Sequence, residues 1–157
     1  MATEKWVAGT TGLSSVWVTA INSSVINSIA SSNAIAGDVI ITNGTNLEIF
    51  CDVSITLASA AVAAPNFVGV YLYPLNSDNT TYGDGRFAAA ALGPPPANYC
   101  AGNIGLVAAT QAQEGTLTGV VMPPGSFKFV LWNSAGIIWA GSTTNTCKYR
   151  TYNRSIA

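Results

Sequence analysis

Apolar and polar residues alternate along much of the chain, most clearly between residues 46 and 57. Leu47, Ile49, Cys51, Val53, Ile55 and Leu57 share one parity, and Asn46, Glu48, Asp52, Ser54 and Thr56 share the other. A period of two marks a strand with one face buried and the other wet. Phe50 breaks the pattern, because it stands among the polar residues. Upstream, residues 38–42 are short and β-branched, and Asn43-Gly44 follows them. Both of those residues tolerate positive φ, as a tight hairpin turn requires, so residues 38–57 are predicted to form a β-hairpin.

The same patterning predicts strands at residues 16–20, 67–73, 117–122, 126–132, 137–140 and 146–152. Pro123-Pro124-Gly125 and Asn133-Ser134-Ala135-Gly136 supply turns between the later ones. In residues 21–36, Ile21, Val25, Ile26 and Ile29 have helical spacing, but the surrounding Asn and Ser compete with helix backbone bonds. That segment reads as strand and turn, with one short helix as the alternative. Residues 76–103, which include Gly93-Pro94-Pro95-Pro96, show no regular pattern. A loop of that length is usually functional or interfacial. Short strands with frequent turns predict an all-β fold: a single β-sandwich (jelly-roll-like) or barrel, with a long irregular loop region. One domain is expected over residues 1–157, with residues 1–12 as an extended arm. No linker or internal repeat divides it.

Composition sharpens this picture. The chain is 49% apolar but only 8% charged, whereas a soluble domain carries about 25% charged residues. Either Ser, Thr and Asn solvate the surface, or much of the surface is covered in an assembly, since interface cores are poor in charge. A net charge of −1 offers little self-repulsion between copies. It also leaves no basic patch of the size that phosphate binding needs, so nucleic acid is not an expected partner. The start of the chain lacks a charged segment followed by an apolar one, and the longest apolar stretch, residues 57–64, stops at Pro65. No membrane partner is expected, and synthesis in a cytoplasm is. Cys51, Cys100 and Cys147 are far apart and form no CxxC pair. They read as buried free thiols, with one disulfide between distant partners as the alternative.

The inventory of reactive groups is thin. There is no histidine, which removes the commonest general base and the commonest transition-metal ligand. A Ser-His-Asp triad and a Cys-His pair are therefore excluded. Seven carboxylates remain. Two of them would suffice for a glycosidase pair, but nearly all fall on polar strand faces, in turns or near the terminus, where solubility explains them. Residues 76–85 hold oxygen ligands at close spacing but lack the acidic pattern of an EF-hand calcium loop; they read as a turn region, with a cation site as the alternative. No catalytic residue, cofactor or metal is expected, and the chain does not read as an enzyme.

Candidate binding residues are easier to name. Strand alternation places Lys148, Arg150, Tyr152 and Arg154 on one face, with three of the six basic residues of the chain. They form either a solvated edge, whose charges discourage pairing, or a basic aromatic docking strip. The segment 67–73 is apolar on both faces, with Val68, Val70 and Leu72 on one and Phe67, Tyr71 and Tyr73 on the other. With Trp17 and Phe50, which oppose the polarity around them, it suggests apolar surface that meets a partner.

Four phrases carry a family resemblance: Val70-Tyr-Leu-Tyr-Pro-Leu-Asn-Ser-Asp-Asn-Thr-Thr-Tyr-Gly-Asp-Gly-Arg86, Gly93-Pro-Pro-Pro96, Met122-Pro-Pro-Gly-Ser-Phe-Lys-Phe129 and Lys148-Tyr-Arg-Thr-Tyr-Asn153. In them the C-terminal half or more of the chain resembles the head decoration (cement) proteins of tailed phages. The resemblance implies a β-rich structural protein on the capsid exterior of the virion. It would bind assembled major capsid protein as a homo-oligomer, a trimer before a dimer. These are structural phrases, and no functional residue carries over from them. The alternative is a carbohydrate-binding or receptor-binding module of a phage tail fibre, for which four tryptophans and six tyrosines could supply stacking platforms.

Overall fold

Strands form here because β-branched and aromatic residues recur with a period of two and turn residues interrupt them. The computed structural model describes residues 4–9, 14–16, 33–37, 39–45, 47–61, 66–78, 82, 91–92, 95–134 and 145–156. Within them lie β1 (Glu4–Ala8), β2 (Ser14–Ser15), β3 (Asn33–Ala36), β4 (Ile41–Asn43), β5 (Phe50–Ala61), β6 (Asn66–Pro74), β7 (Ala91–Leu92), β8 (Cys100–Leu106), β9 (Thr110–Val121), β10 (Gly125–Asn133) and β11 (Thr146–Ile156). A 3₁₀ turn at Ala97–Tyr99 leads into β8.

The strands form two antiparallel sheets. The first runs β1-β11-β5-β9, with β2 also on β11. The second runs β7-β3-β10-β6-β8, with β4 also on β10. The sheets pack face to face as a sandwich. Cys51, Val53, Ile55, Leu57, Cys147 and Tyr149 of the first sheet meet Val68, Val70, Leu72, Phe127, Phe129 and Leu131 of the second. All twelve are buried.

The central strands β6 and β10 are buried on both faces. Their outer sides, Tyr71, Tyr73 and Val130, form a second cluster with Ala34 and Tyr82. Tyr99 stacks on Tyr73 at 4.6 Å, and Tyr82 meets Tyr73 edge-on at 5.8 Å. The chain therefore covers Tyr71 and Tyr73 itself. This corrects their reading as partner-facing residues: a strand apolar on both faces is here the middle of a layered core.

The predicted hairpin over residues 38–57 does not form. β4 pairs with β10 in the second sheet, whereas β5 pairs with β11 and β9 in the first. The segment between them crosses from one sheet to the other, and Asn43 holds the crossing. Its buried amide donates to the Glu48 carbonyl (2.8 Å) and the Pro123 carbonyl (3.1 Å), and it accepts the Glu48 N–H (2.7 Å). Leu47 takes a positive φ of 45°. Leu47 and Ile49 thereby fall off the buried face of β5 and are exposed.

Other expectations are refined in the same way. Part of the expected N-terminal arm is β1, paired from Glu4–Ile156 to Ala8–Tyr152. The strand predicted at 117–122 begins at Thr110, and the irregular stretch 76–103 ends within β8. Cys51 and Cys147 are buried free thiols, but Cys100 is exposed. The predicted strand 137–140, Trp17 and most of the 76–85 loop lie outside the described residues.

Two outcomes follow. Asn43→Ala strips partners from two backbone groups of Glu48 and one of Pro123, and should lower the unfolding free energy by about 2–3 kcal/mol in urea titrations. The second concerns pH. Burial pushes the Cys51 thiol from 9.0 up to about 12, and pushes the Cys147 thiol up as well. Groups that hold protons more tightly when folded stabilise fully below pH 9, and that contribution is lost as pH rises toward the folded values. By roughly pH 10.5 the loss should reach about 2 kcal/mol for each thiol. Cys51→Ala combined with Cys147→Ala should flatten the urea midpoint between about pH 9 and 10. A further fall at higher pH belongs to tyrosines whose pKa burial also raises, Tyr71, Tyr82, Tyr149 and Tyr152.

Candidate functional site

β11 lies between β1 and β5, so its alternation decides two surfaces at once. Cys147, Tyr149 and Thr151 turn inward and are buried. Lys148, Arg150, Tyr152 and Arg154 turn outward, as the sequence predicts. Register then sets their neighbours. Arg150 stands opposite Asp52, Tyr152 lies between Phe50 and Ala8, and Arg154 stands opposite Trp6.

Three rings meet on this face. Trp6 approaches Tyr152 edge-on at 5.3 Å and Phe50 edge-on at 5.8 Å. Phe50 and Tyr152 stack at 5.8 Å with 20° between their planes. The Arg154 guanidinium lies over the Trp6 ring at 5.4 Å. Trp6 nevertheless stays 62% exposed, and Val121, opposite Phe50 on β9, stays 66% exposed. Beside the rings is a shallow depression of about 400 Å³, bounded by Trp6, Asp52, Thr118, Arg150 and Tyr152.

Asp52 organises the polar half of the face. Its Oδ2 accepts from Arg150 Nε at 3.0 Å and Nη2 at 2.9 Å. Its Oδ1 accepts from the Tyr152 hydroxyl at 3.0 Å and the Gly119 N–H at 3.2 Å. A β-bulge supplies the last donor. Cys51 faces Val120 and Val53 faces Leu117, so Asp52 alone opposes both Thr118 and Gly119. Gly119 takes a positive φ of 70°, the conformation such a bulge asks of glycine. Burial first, and then the bond to the Asp52 carboxylate, raise the Tyr152 pKa. With four donors on two oxygens, Asp52 is fitted to hold its neighbours in place. No group of three or more Cys, Asp or Glu among the described residues could hold a metal ion.

The structure thus gathers Phe50, Lys148, Arg150, Tyr152 and Arg154 of the expected binding residues on one face. It separates Phe67, which is half-buried on the second sheet and packs edge-on against Trp132 at 5.4 Å. Trp6, Asp52 and Gly119 belong to the face but were not singled out from sequence. Asp52 shares the parity of Phe50, which was a usable signal. Trp6 gave none, because its place depends on which strand edge the N-terminal segment joins.

The bulge offers a controlled test. A Cβ at Gly119 would meet nothing closer than the Tyr152 hydroxyl at 4.0 Å, and one at Gly105 would meet nothing within 4 Å. Of these two, Gly119 alone has a positive φ. Gly119→Ala should cost about 1–2 kcal/mol in urea unfolding, and Gly105→Ala should cost almost nothing.

No family model matches the chain, and no curated protein matches it. Among solved structures, the carbohydrate-binding module CBM36 in complex with calcium and xylotriose aligns over 99% of this chain and 99% of its own. The identity is 10% and the TM-score 0.39.

Proposed function

We propose that the chain is a non-catalytic adhesion protein that docks on another protein through the outer face of its first sheet. Its partner on this reading is the major capsid protein of a tailed phage, and its place is the exterior of the head. The observation that carries the docking surface is the exposed Trp6 ring packed on the half-buried Phe50 and Tyr152, with the exposed Arg150 and Arg154 beside it. Aromatic residues and arginine dominate binding hot spots, and exposed apolar clusters usually mark contact sites. The choice of partner rests on the sequence phrases that resemble head decoration proteins. The scarcity of charge supports a surface largely covered in an assembly. It also supports a homo-oligomer, a trimer before a dimer.

A glycan partner fits this face less well. The Trp6 and Tyr152 planes stand 76° apart and do not make one flat platform. The nearest carboxylate, Asp52, already accepts four hydrogen bonds and has little to offer sugar hydroxyls.

Heads assembled from the capsid protein of the same phage, without decoration protein, should bind this chain at saturable stoichiometry in co-sedimentation. Trp6→Ala and Tyr152→Ala should keep the fold by circular dichroism and bind at least about tenfold more weakly. Sedimentation of the free protein at micromolar concentration should show an oligomer. A folded monomer that ignores heads and binds a glycan on an array would overturn the proposal in favour of a tail-fibre module.

A further inference from the structure

The polar half of the docking face has an unusual division of burial. The Asp52 side chain is 9% exposed, whereas that of its partner Arg150 is 65% exposed. Arg150 spends Nε and one Nη2 bond on Asp52 from below. A guanidinium carries five N–H donors, so most of them remain directed at solvent. The same carboxylate fixes the Tyr152 hydroxyl, and that ring is stacked on Phe50. Two flexible side chains are therefore oriented before any partner arrives, which cuts the entropy lost on binding.

Three of the six basic residues of the chain lie on this face. The whole sequence carries −1. Along β11, Lys148, Arg150 and Arg154 share the face with Asp52, with Glu114 opposite Thr56 and with Glu4 opposite Ile156. Alternate strand residues lie about 7 Å apart, so Arg150 and Arg154 stand roughly 13 Å apart with Tyr152 between them. Three cations are too few for a phosphate polymer, whose binding grows with the number of neutralised phosphates. They suit carboxylates, which the planar guanidinium fork matches.

We propose that Asp52 is a positioning residue that presets Arg150 and Tyr152 to receive carboxylates from an acidic protein surface laid along β11. This rests on the docking reading for its location, and on the Asp52 geometry for its chemistry.

An extended peptide of alternating Glu and Thr, and its Gln-Thr counterpart, serve as probes in NMR titrations of the full chain. The Glu peptide should shift resonances of β11 and β1, and added salt should weaken it; the Gln peptide should shift nothing. Arg150→Lys should weaken the Glu peptide about tenfold, because a point charge cannot replace the fork. Asp52→Asn decides between two accounts. It makes the face more positive, so a purely electrostatic face would hold the Glu peptide more tightly. A positioning role requires weaker binding, by about tenfold. If Asp52→Asn does not fold, Asp52→Glu keeps the charge but misplaces it, and should also weaken binding without a matching loss of thermal midpoint. Unchanged or tighter binding in either folded variant overturns the proposal, as does a wild type indifferent to the Glu peptide. A wild type that binds the Glu peptide but no capsid overturns the docking reading alone. One that decorates capsids without salt dependence and ignores the peptide overturns the acidic partner alone.

Discussion

The alternation of β11 is the constraint on which both halves of the molecule depend. Every second residue closes the sandwich, and every other one builds the outer face. Cys147 and Tyr149 belong to the main core cluster, while Arg150 and Tyr152 reach Asp52 on the far side of the same sheet. A slip of one residue in its pairing with β5 would exchange the two sets. It would put Lys148 and Arg150 into an apolar interior and the Cys147 thiol and the Tyr149 ring into water. The core therefore enforces the register of the face, and the face needs no separate folding element to hold it.

Two residue groups broke the polarity pattern in the sequence, and they met opposite fates. Tyr71 and Tyr73 lie on β6, the outer side of which the chain covers with Tyr82 and Tyr99. Phe50 lies on β5, whose outer neighbours are Trp6 and Tyr152. An apolar residue on a polar face says that something covers it. Whether the cover is the chain itself or another molecule depends on long-range topology.

That difference explains how much was legible. The strands β6, β10 and β11 followed from runs of β-branched and aromatic residues between turns, and an all-β class, open between sandwich and barrel, followed from their frequency. The outward strip on β11 followed from strand alternation. The hairpin at 38–57 failed because Asn43-Gly44 carries a turn signal that a sheet crossing can use equally well. There the buried Asn43 side chain, with its three bonds to Glu48 and Pro123, decides the path. β8 was hidden because its sequence, Cys-Ala-Gly-Asn-Ile-Gly-Leu, is poor in β-branched residues. Asp52 was visible only as one polar residue on a strand. Its role emerges from Arg150 and Tyr152, about a hundred positions away along the chain, and from a bulge at Gly119 that no local pattern announces.

Magnitudes separate the parts that the docking face would play. A tryptophan buries about 150–250 Å² when fully covered. Covering the exposed three-fifths of Trp6 would remove roughly 100–150 Å² from water, or about 3 kcal/mol at 25 cal/mol per Å². An exposed ion pair contributes only about 0–1 kcal/mol. The rings would therefore supply most of the affinity, and the cations would fix orientation and exclude wrong partners. That division accounts for the position of Asp52. A buried carboxylate adds little net stability through its ion pair alone, because desolvation offsets the attraction. Its four hydrogen bonds instead fix where Arg150 and Tyr152 point. In a homo-oligomer the same modest contact is repeated at each copy, and effective concentration turns weak single sites into firm attachment. On the docking proposal, a face of this kind would favour orientation over strength in each copy, and would leave strength to the number of copies.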